Sequence, residues 1–237
     1  MSSKIAFRVR QGHKWLSLII GAQVMLWLGT GVYRVVVNLD FIHGDHLVTN
    51  MAETVSAEPG VSFADMLAQY PDATELILTS WTGKPVYRVQ SPAGPHLVDA
   101  ETGEEISPLS EDDAISVARY HYTRSAEVSS ATLLVEDADA PTEIQTRPLP
   151  LWRIDFDDAG STAFYVSPND GSLVTRRHTY WRLFDFAWML HIMDYEERAD
   201  VNNNLLRIAA ALGLVLSAFG MWLLFFSFKR RKGARQA

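Results

Sequence analysis

Cysteine is absent from the 237 residues. A chain without thiols can form no disulfide framework, thiolate zinc site, iron-sulfur cluster or c-type haem attachment, and it offers no thiol nucleophile. Any metal or haem ligand must then come from histidine, methionine or carboxylate, and seven histidines are present. Acidic residues are missing from both ends. All 28 lie between Asp40 and Asp200, a stretch with only 10 bases, so 10 − 28 gives it a net charge of −18. Lys4 to Lys14 contributes four bases and Lys229 to Arg235 five, with no acid in either. The acidic centre repels phosphate, which excludes nucleic acid as a partner. A Gly-rich dinucleotide motif is also lacking, as is any Ser-His-Asp or paired-carboxylate arrangement, so no catalytic residue is assigned.

Two long uncharged runs account for the split in charge. Trp15 to Tyr33 gives 19 consecutive uncharged residues, extended past Arg34 by Val35, Val36 and Val37, and Ile208 to Phe228 gives 21. Each is long enough to cross a hydrocarbon core of about 30 Å at about 1.5 Å per residue. The first run exceeds a signal-peptide core and has no small-x-small cleavage site after it, which predicts an uncleaved anchor. With both basic ends held inside, the expected organisation is a cytoplasmic segment 1–14, a transmembrane helix 15–37, a periplasmic domain 38–178, an interfacial amphipathic helix 179–195, a transmembrane helix 205–228 and a basic cytoplasmic tail 229–237. The expected location is an inner membrane, with the lipid bilayer as partner. Small residues at Ser17, Gly21 and Gly29, and at Ala209, Gly213 and Ser217, predict close packing of the two spans or a homodimer contact.

The acidic centre repeats itself at an offset of about 65 residues. A helix at Ser62 to Gln69 precedes strands at Glu75 to Trp81, Pro85 to Val89 and His96 to Gly103. A helix at Ser110 to Tyr122 then precedes strands at Val128 to Val135, Pro150 to Ile154 and Phe164 to Gly171. Alternation of Val86 and Arg88 with Tyr87 and Val89, and of Leu151 and Arg153 with Trp152 and Ile154, predicts half-buried strands. Ser110 with Asp113 three residues on predicts an N-cap. Glu136 to Pro148 reads as a loop. The expected fold class is α+β: two units, each a helix over a three-stranded antiparallel sheet, flanked by two transmembrane helices.

The pattern from Val86-Tyr87-Arg88-Val89 to Val98-Asp99-Ala100-Glu101-Thr102-Gly103 resembles a PepSY domain. Gly12-His13-Lys14-Trp15-Leu16 and Leu183 to Tyr195 resemble the flanks of PepSY-associated transmembrane proteins of bacteria. That resemblance covers nearly the whole chain.

On the helix expected at 179–195, Phe184, Ala187, Trp188, His191 and Tyr195 share one face by their spacing. His191 thus projects from an aromatic stripe, with Asp194 close enough in sequence to orient its second nitrogen. His13 lies at the cytoplasmic mouth of the first span, and His43 and His46 lie just beyond its outer end. The resemblance, through membrane-bound siderophore and iron reductases, implies a b-type haem held by His191 with His43 or His46, and a second haem at His13. It implies a transmembrane electron-transfer subunit for periplasmic ferric reduction, with electrons supplied by a membrane redox partner. The alternative is a non-enzymatic periplasmic module that binds a partner or protease, with structural histidines. His96, His121 and His178 are expected to be surface or core residues, and Arg176-Arg177 to touch lipid headgroups.

Overall fold

The computed structural model describes residues 3–51, 54–55 and 58–233. The extreme ends of the two basic terminal segments, residues 1–2 and 234–237, lie outside the described residues. The chain divides into a globular unit, Leu39–Leu183, and a helical unit formed by Met1–Asn38 and Phe184–Ala237.

The globular unit is α+β. After α2 (Leu39–His43) come α3 (Phe63–Gln69) and a sheet of β1 (Glu75–Trp81), β2 (Lys84–Ser91) and β3 (Gly94–Asp99). Next are α4 (Glu111–His121) and a sheet of β4 (Val128–Leu134), β5 (Leu151–Phe156), β6 (Ala163–Val166) and β7 (Leu173–Arg177). Both sheets are antiparallel meanders in sequence order. The second sheet therefore has four strands where three were expected. Its added strand, β7, carries Arg176 and Arg177. Arg176 bonds to the Gly44 carbonyl and pairs with Asp45, and the buried Arg177 donates to the Glu143 carbonyl at 2.9 Å. Each arginine meets an acceptor within the unit, which lets this charged segment complete a sheet.

Each helix of the repeat begins with the same local device. Ser62 accepts from the Asp65 N–H while Asp65 accepts from the Ser62 N–H, and Ser110 and Asp113 do likewise. These capping boxes satisfy amide groups that the first helical turn leaves unpaired. Between β1 and β2, Thr82 and Gly83 both take positive φ, 50° and 83°, in a two-residue hairpin turn whose twist matches that of the strands.

The strands of the inner rows bury both faces rather than one. Val86 and Leu97 of the first sheet pack with Ile154, Phe156, Phe164 and Val166 of the second, and with Ala114, Val117 and Ala118 of α4. On the opposite face of the first sheet, Tyr87, Val89 and Val98 pack on Met66 of α3. On the opposite face of the second, Leu151, Ala163 and Tyr165 pack beneath Ile144 of the 136–148 loop. Glu143 ties that loop down, accepting from the Tyr165 hydroxyl at 2.5 Å and from Arg182 Nε at 2.6 Å. The two repeat units thus share one central core.

The helical unit holds α1 (Ser3–Val36), the second half of α5 (Thr179–Ile192) and α6 (Asn204–Gly233). Lys4–Val36 and Asn204–Leu224 are long and apolar enough to cross a membrane, and only 6% of each apolar window is buried within the protein. A core helix of a soluble protein would bury far more of such a surface. Close approach of α1 and α6 depends on glycine at Gly12 and Gly220. A Cβ on Gly12 would lie 2.8 Å from the Phe219 ring, and one on Gly220 would lie 3.2 Å from His13 Nε2. Gly21 and Gly29 of the first span's small-residue stripe do not serve that contact, since nothing lies within 4 Å of where their Cβ atoms would be.

Candidate functional site

In the helical unit, chemistry gathers where α5 meets α1. The last carbonyls of an α-helix have no partner within it, and here side chains from elsewhere supply one. Gln23 Nε2 donates to Leu190 O at 2.9 Å, Trp27 Nε1 to His191 O at 2.7 Å and Asn203 Nδ2 to Ile192 O at 2.9 Å. Gln23, Trp27, Thr30 and Arg34 recur at intervals of four, three and four residues, so they form one polar stripe on α1.

That stripe also sets the state of His191. Thr30 Oγ1 gives its proton to Leu26 O at 2.7 Å and lies 2.8 Å from His191 Nδ1. With its proton committed, the hydroxyl accepts from Nδ1–H, which leaves Nε2 as the nitrogen with a lone pair. Trp188 stacks parallel to the imidazole at 6.0 Å and Phe184 follows at 6.3 Å. Phe184, Ala187, Trp188 and His191 line a mostly apolar cleft of about 50 Å³ with Thr30, Gly31 and Arg34. The expected aromatic face is therefore present, with two corrections. The helix ends at Ile192, and Met193 has φ of 55°, so Tyr195 lies beyond the face. Asp194 does not bond to His191. It accepts the N–H groups of Glu196, Glu197, Ala199 and Asp200, and the Asp200 bond above all holds its carboxyl below the usual range.

Thr30→Val keeps the shape and removes the acceptor. It is expected to release Nδ1–H and mix the two tautomers of His191, which ¹⁵N chemical shifts of the ring in micelles will show. Unchanged shifts would mean that Thr30 does not set the tautomer.

His13, the other histidine of the helical unit, packs against Gly220 with Ser17 Oγ 3.4 Å from its Nδ1. Seventeen residues of α1 separate His13 from Thr30, about 26 Å of helix rise, so His13 and His191 cannot ligate one group. A cleft of about 50 Å³ is also well below the roughly 300 Å³ at which cofactor pockets begin. The described residues of the helical unit alone do not fit a haem. Among all described residues, no group of three or more His, Asp or Glu side chains is placed to hold a metal ion.

In the globular unit His43 is exposed at the end of α2, and His46 stacks on Phe41 at 4.3 Å. His46 also lies edge-on to His178, 5.5 Å away. His178 is 3% exposed, and its Nε2 donates to Phe41 O and Ile42 O at 3.1 and 3.0 Å. Burial pushes both imidazoles below the ordinary histidine range. For His46 the neighbouring His178 adds to this, while for His178 the two carbonyls oppose it without prevailing. His178 is a core histidine, as expected. His96 pairs with Glu105 at 2.6 Å.

A cleft of about 250 Å³ in the globular unit was not anticipated. It opens beside the β1–β2 hairpin, and its lining includes Trp81, Thr82, Arg88, His121, Gly171 and Leu173. Gly171, with φ of 66°, is required here, since a Cβ would fall 2.5 Å from Trp81 Nε1 and 2.9 Å from Leu97. Its carbonyl accepts from Trp81 Nε1 at 3.1 Å, so the turn and the indole fix one wall together.

No family model matches the chain, and no curated protein or solved structure matches it.

Proposed function

We propose that this is a two-pass inner-membrane protein whose globular unit is a periplasmic ligand-binding module, with both termini in the cytoplasm. The observation that carries the reading is the 250 Å³ cleft. It is lined by polar and aromatic side chains, and a glycine that admits no Cβ shapes its wall. The exposed apolar surfaces of α1 and α6 support the membrane anchor, and the basic ends support the orientation. The PepSY-like strand patterns agree with this reading, since such domains bind partners in several settings.

A second reading is electron transfer through b-type haem, with His191, His13, His43 and His46 as ligands. The tautomer of His191 favours it, because Nε2 keeps its lone pair beside an aromatic wall. It requires a second axial ligand from beyond the helical unit.

One preparation separates the two. The full chain purified from membranes is expected to be colourless, with no reduced-minus-oxidised b-type spectrum. A haem spectrum that vanishes in His191→Ala would overturn the binding-module reading. The cysteine-free chain also permits a direct test of orientation. In spheroplasts, a membrane-impermeant maleimide is expected to label Glu136→Cys, and to label Ile5→Cys only after lysis. The reverse pattern would overturn the assigned orientation.

A further inference from the structure

The lining of the 250 Å³ cleft is out of character with the unit that contains it. Residues 39–183 carry 23 acids and 9 bases, yet among the described residues no Asp or Glu lines this cleft. Arg88 does. Its Nε donates to Asp170 O at 3.2 Å, which holds the guanidinium in place, and no described carboxylate pairs with it. Arg119, Arg124, Arg153, Arg176 and Arg182 of the same unit each pair with an acid. Arg88 therefore keeps its Nη donors for something else, in a concavity whose described lining holds no carboxylate. A guanidinium anchored through Nε presents two parallel N–H donors that match the spacing of carboxylate oxygens.

The remaining groups extend the match. The hydroxyls of Thr79 and Thr82 line the cleft and make no hydrogen bond to described residues. His121 adds an imidazole whose Nδ1 donates to Thr49 O at 3.0 Å, which fixes the ring at the cleft wall. Trp81 and Leu173 supply apolar cover. At about 250 Å³ the space lies just under the usual range for drug-sized ligands, and so suits a small molecule or a single chain end.

We infer that the cleft binds a carboxylate, with Arg88 clamping the carboxylate oxygens and Trp81 and Leu173 covering the adjoining apolar group. The inference rests on the binding-module reading and names its ligand chemistry. A free carboxylic acid and the C-terminus of a polypeptide present the same group to Arg88.

The test is ligand-observed NMR on the full chain in detergent micelles with three probes: phenylacetate, its neutral amide phenylacetamide, and N-acetyl-dialanine with a free carboxylate. Saturable binding of at least one carboxylate is expected, with none for the amide. Binding of phenylacetate alone assigns a free acid, and binding of the peptide assigns a chain terminus. Arg88→Gln is expected to weaken binding at least tenfold. Thr82→Asp places an acid at the cleft mouth in a positive-φ turn position that aspartate tolerates. It is expected to weaken binding as much without touching Arg88, whereas Thr82→Asn leaves it unchanged. Equal binding of the amide, no binding of either carboxylate, or affinity kept within twofold in Arg88→Gln or Thr82→Asp would overturn the inference. A colourless chain that binds neither carboxylate retires the carboxylate alone, whereas a haem spectrum retires the binding-module reading beneath it.

Discussion

Phe164→Ala is expected to destabilise the globular unit by about 3–5 kcal/mol, the usual cost of emptying a fully buried phenylalanine site. Phe164 has no exposed surface and sits where the two halves of the repeat meet. Its ring lies edge-on to Phe156 at 5.3 Å and to Tyr122 at 5.6 Å, while Tyr122 and Phe156 stack at 4.0 Å. Removing the ring opens a cavity against Ile154 and α4, whose backbones are fixed by the sheet ladder and the Ser110 capping box, so little collapse is available. Out of a typical total stability of about 5–15 kcal/mol, such a loss lowers the melting transition by about 10 °C. The conservative variant Phe164→Leu keeps most of the volume and is expected to cost under about 1.5 kcal/mol. Circular dichroism melts of both variants in detergent provide the check. A Phe164→Ala loss below about 1 kcal/mol would show that the two sheets do not depend on a shared core.

That shared core marks where the sequence stopped being informative. Local signals were legible: Ser110 with Asp113 starts a helix, and Glu75 to Trp81 forms the strand expected of it. Period-two alternation reports one buried face per strand and cannot say that the other face will be covered too. Val86 and Tyr87 point to opposite sides and are both fully buried, because α4 with the second sheet covers one side and α3 the other. β7 escaped notice for a related reason. Two adjacent arginines read as surface groups, but Arg177 meets a carbonyl 34 residues away and Arg176 an acid 131 residues away.

The site residues divide in the same way. Helical spacing was enough to place Phe184, Trp188 and His191 on one face. The partner of His191 was assigned to Asp194 by sequence proximity, and the helix ends before Asp194 can reach it. Thr30, 161 residues distant, takes that role. A signal for Thr30 did exist, in the recurrence of Gln23, Trp27, Thr30 and Arg34 along an otherwise apolar helix. Arg88 read only as the outward member of an alternation. Its distinction is that Asp170 offers it a backbone carbonyl and no carboxylate, which depends on a turn 82 residues further on.

Asp158→Ala is expected to cost about 3–5 kcal/mol, because it strands three donors in a buried setting. The Asp158 side chain is 7% exposed. Oδ2 accepts from the Tyr122 hydroxyl at 2.7 Å and from Thr162 Oγ1 at 2.7 Å, while Oδ1 accepts from the Thr162 N–H at 2.8 Å. Burial, the largest single influence, pushes this carboxyl up. The bonds from Tyr122 and Thr162 and the charge of Arg124 together outweigh burial and hold it below the ordinary range. Burial, followed by the bond to Asp158, pushes the Tyr122 hydroxyl far above its usual value. A carboxylate with a lowered folded pKa adds stability above its unfolded value near 3.8, and that stability is lost as pH falls through the folded value. His178 acts in a higher window. Its folded pKa is lowered by burial, so below the unfolded value of 6.5 the unfolded chain takes up a proton that the folded chain refuses, and stability falls until the lowered value is reached. Acidification is therefore expected to lower the melting temperature in two stages, one beginning near pH 6.5 and one below about pH 4. His46, also lowered by burial, contributes to the same window, so His178→Gln, which keeps a donor for Phe41 O and Ile42 O, should shrink the first stage to the share that His46 carries. Asp158→Ala should flatten the second while lowering the melting temperature across the neutral range. Melts of the three chains from pH 7.5 to 3 decide it: a first stage unchanged in His178→Gln would place that titration on another group.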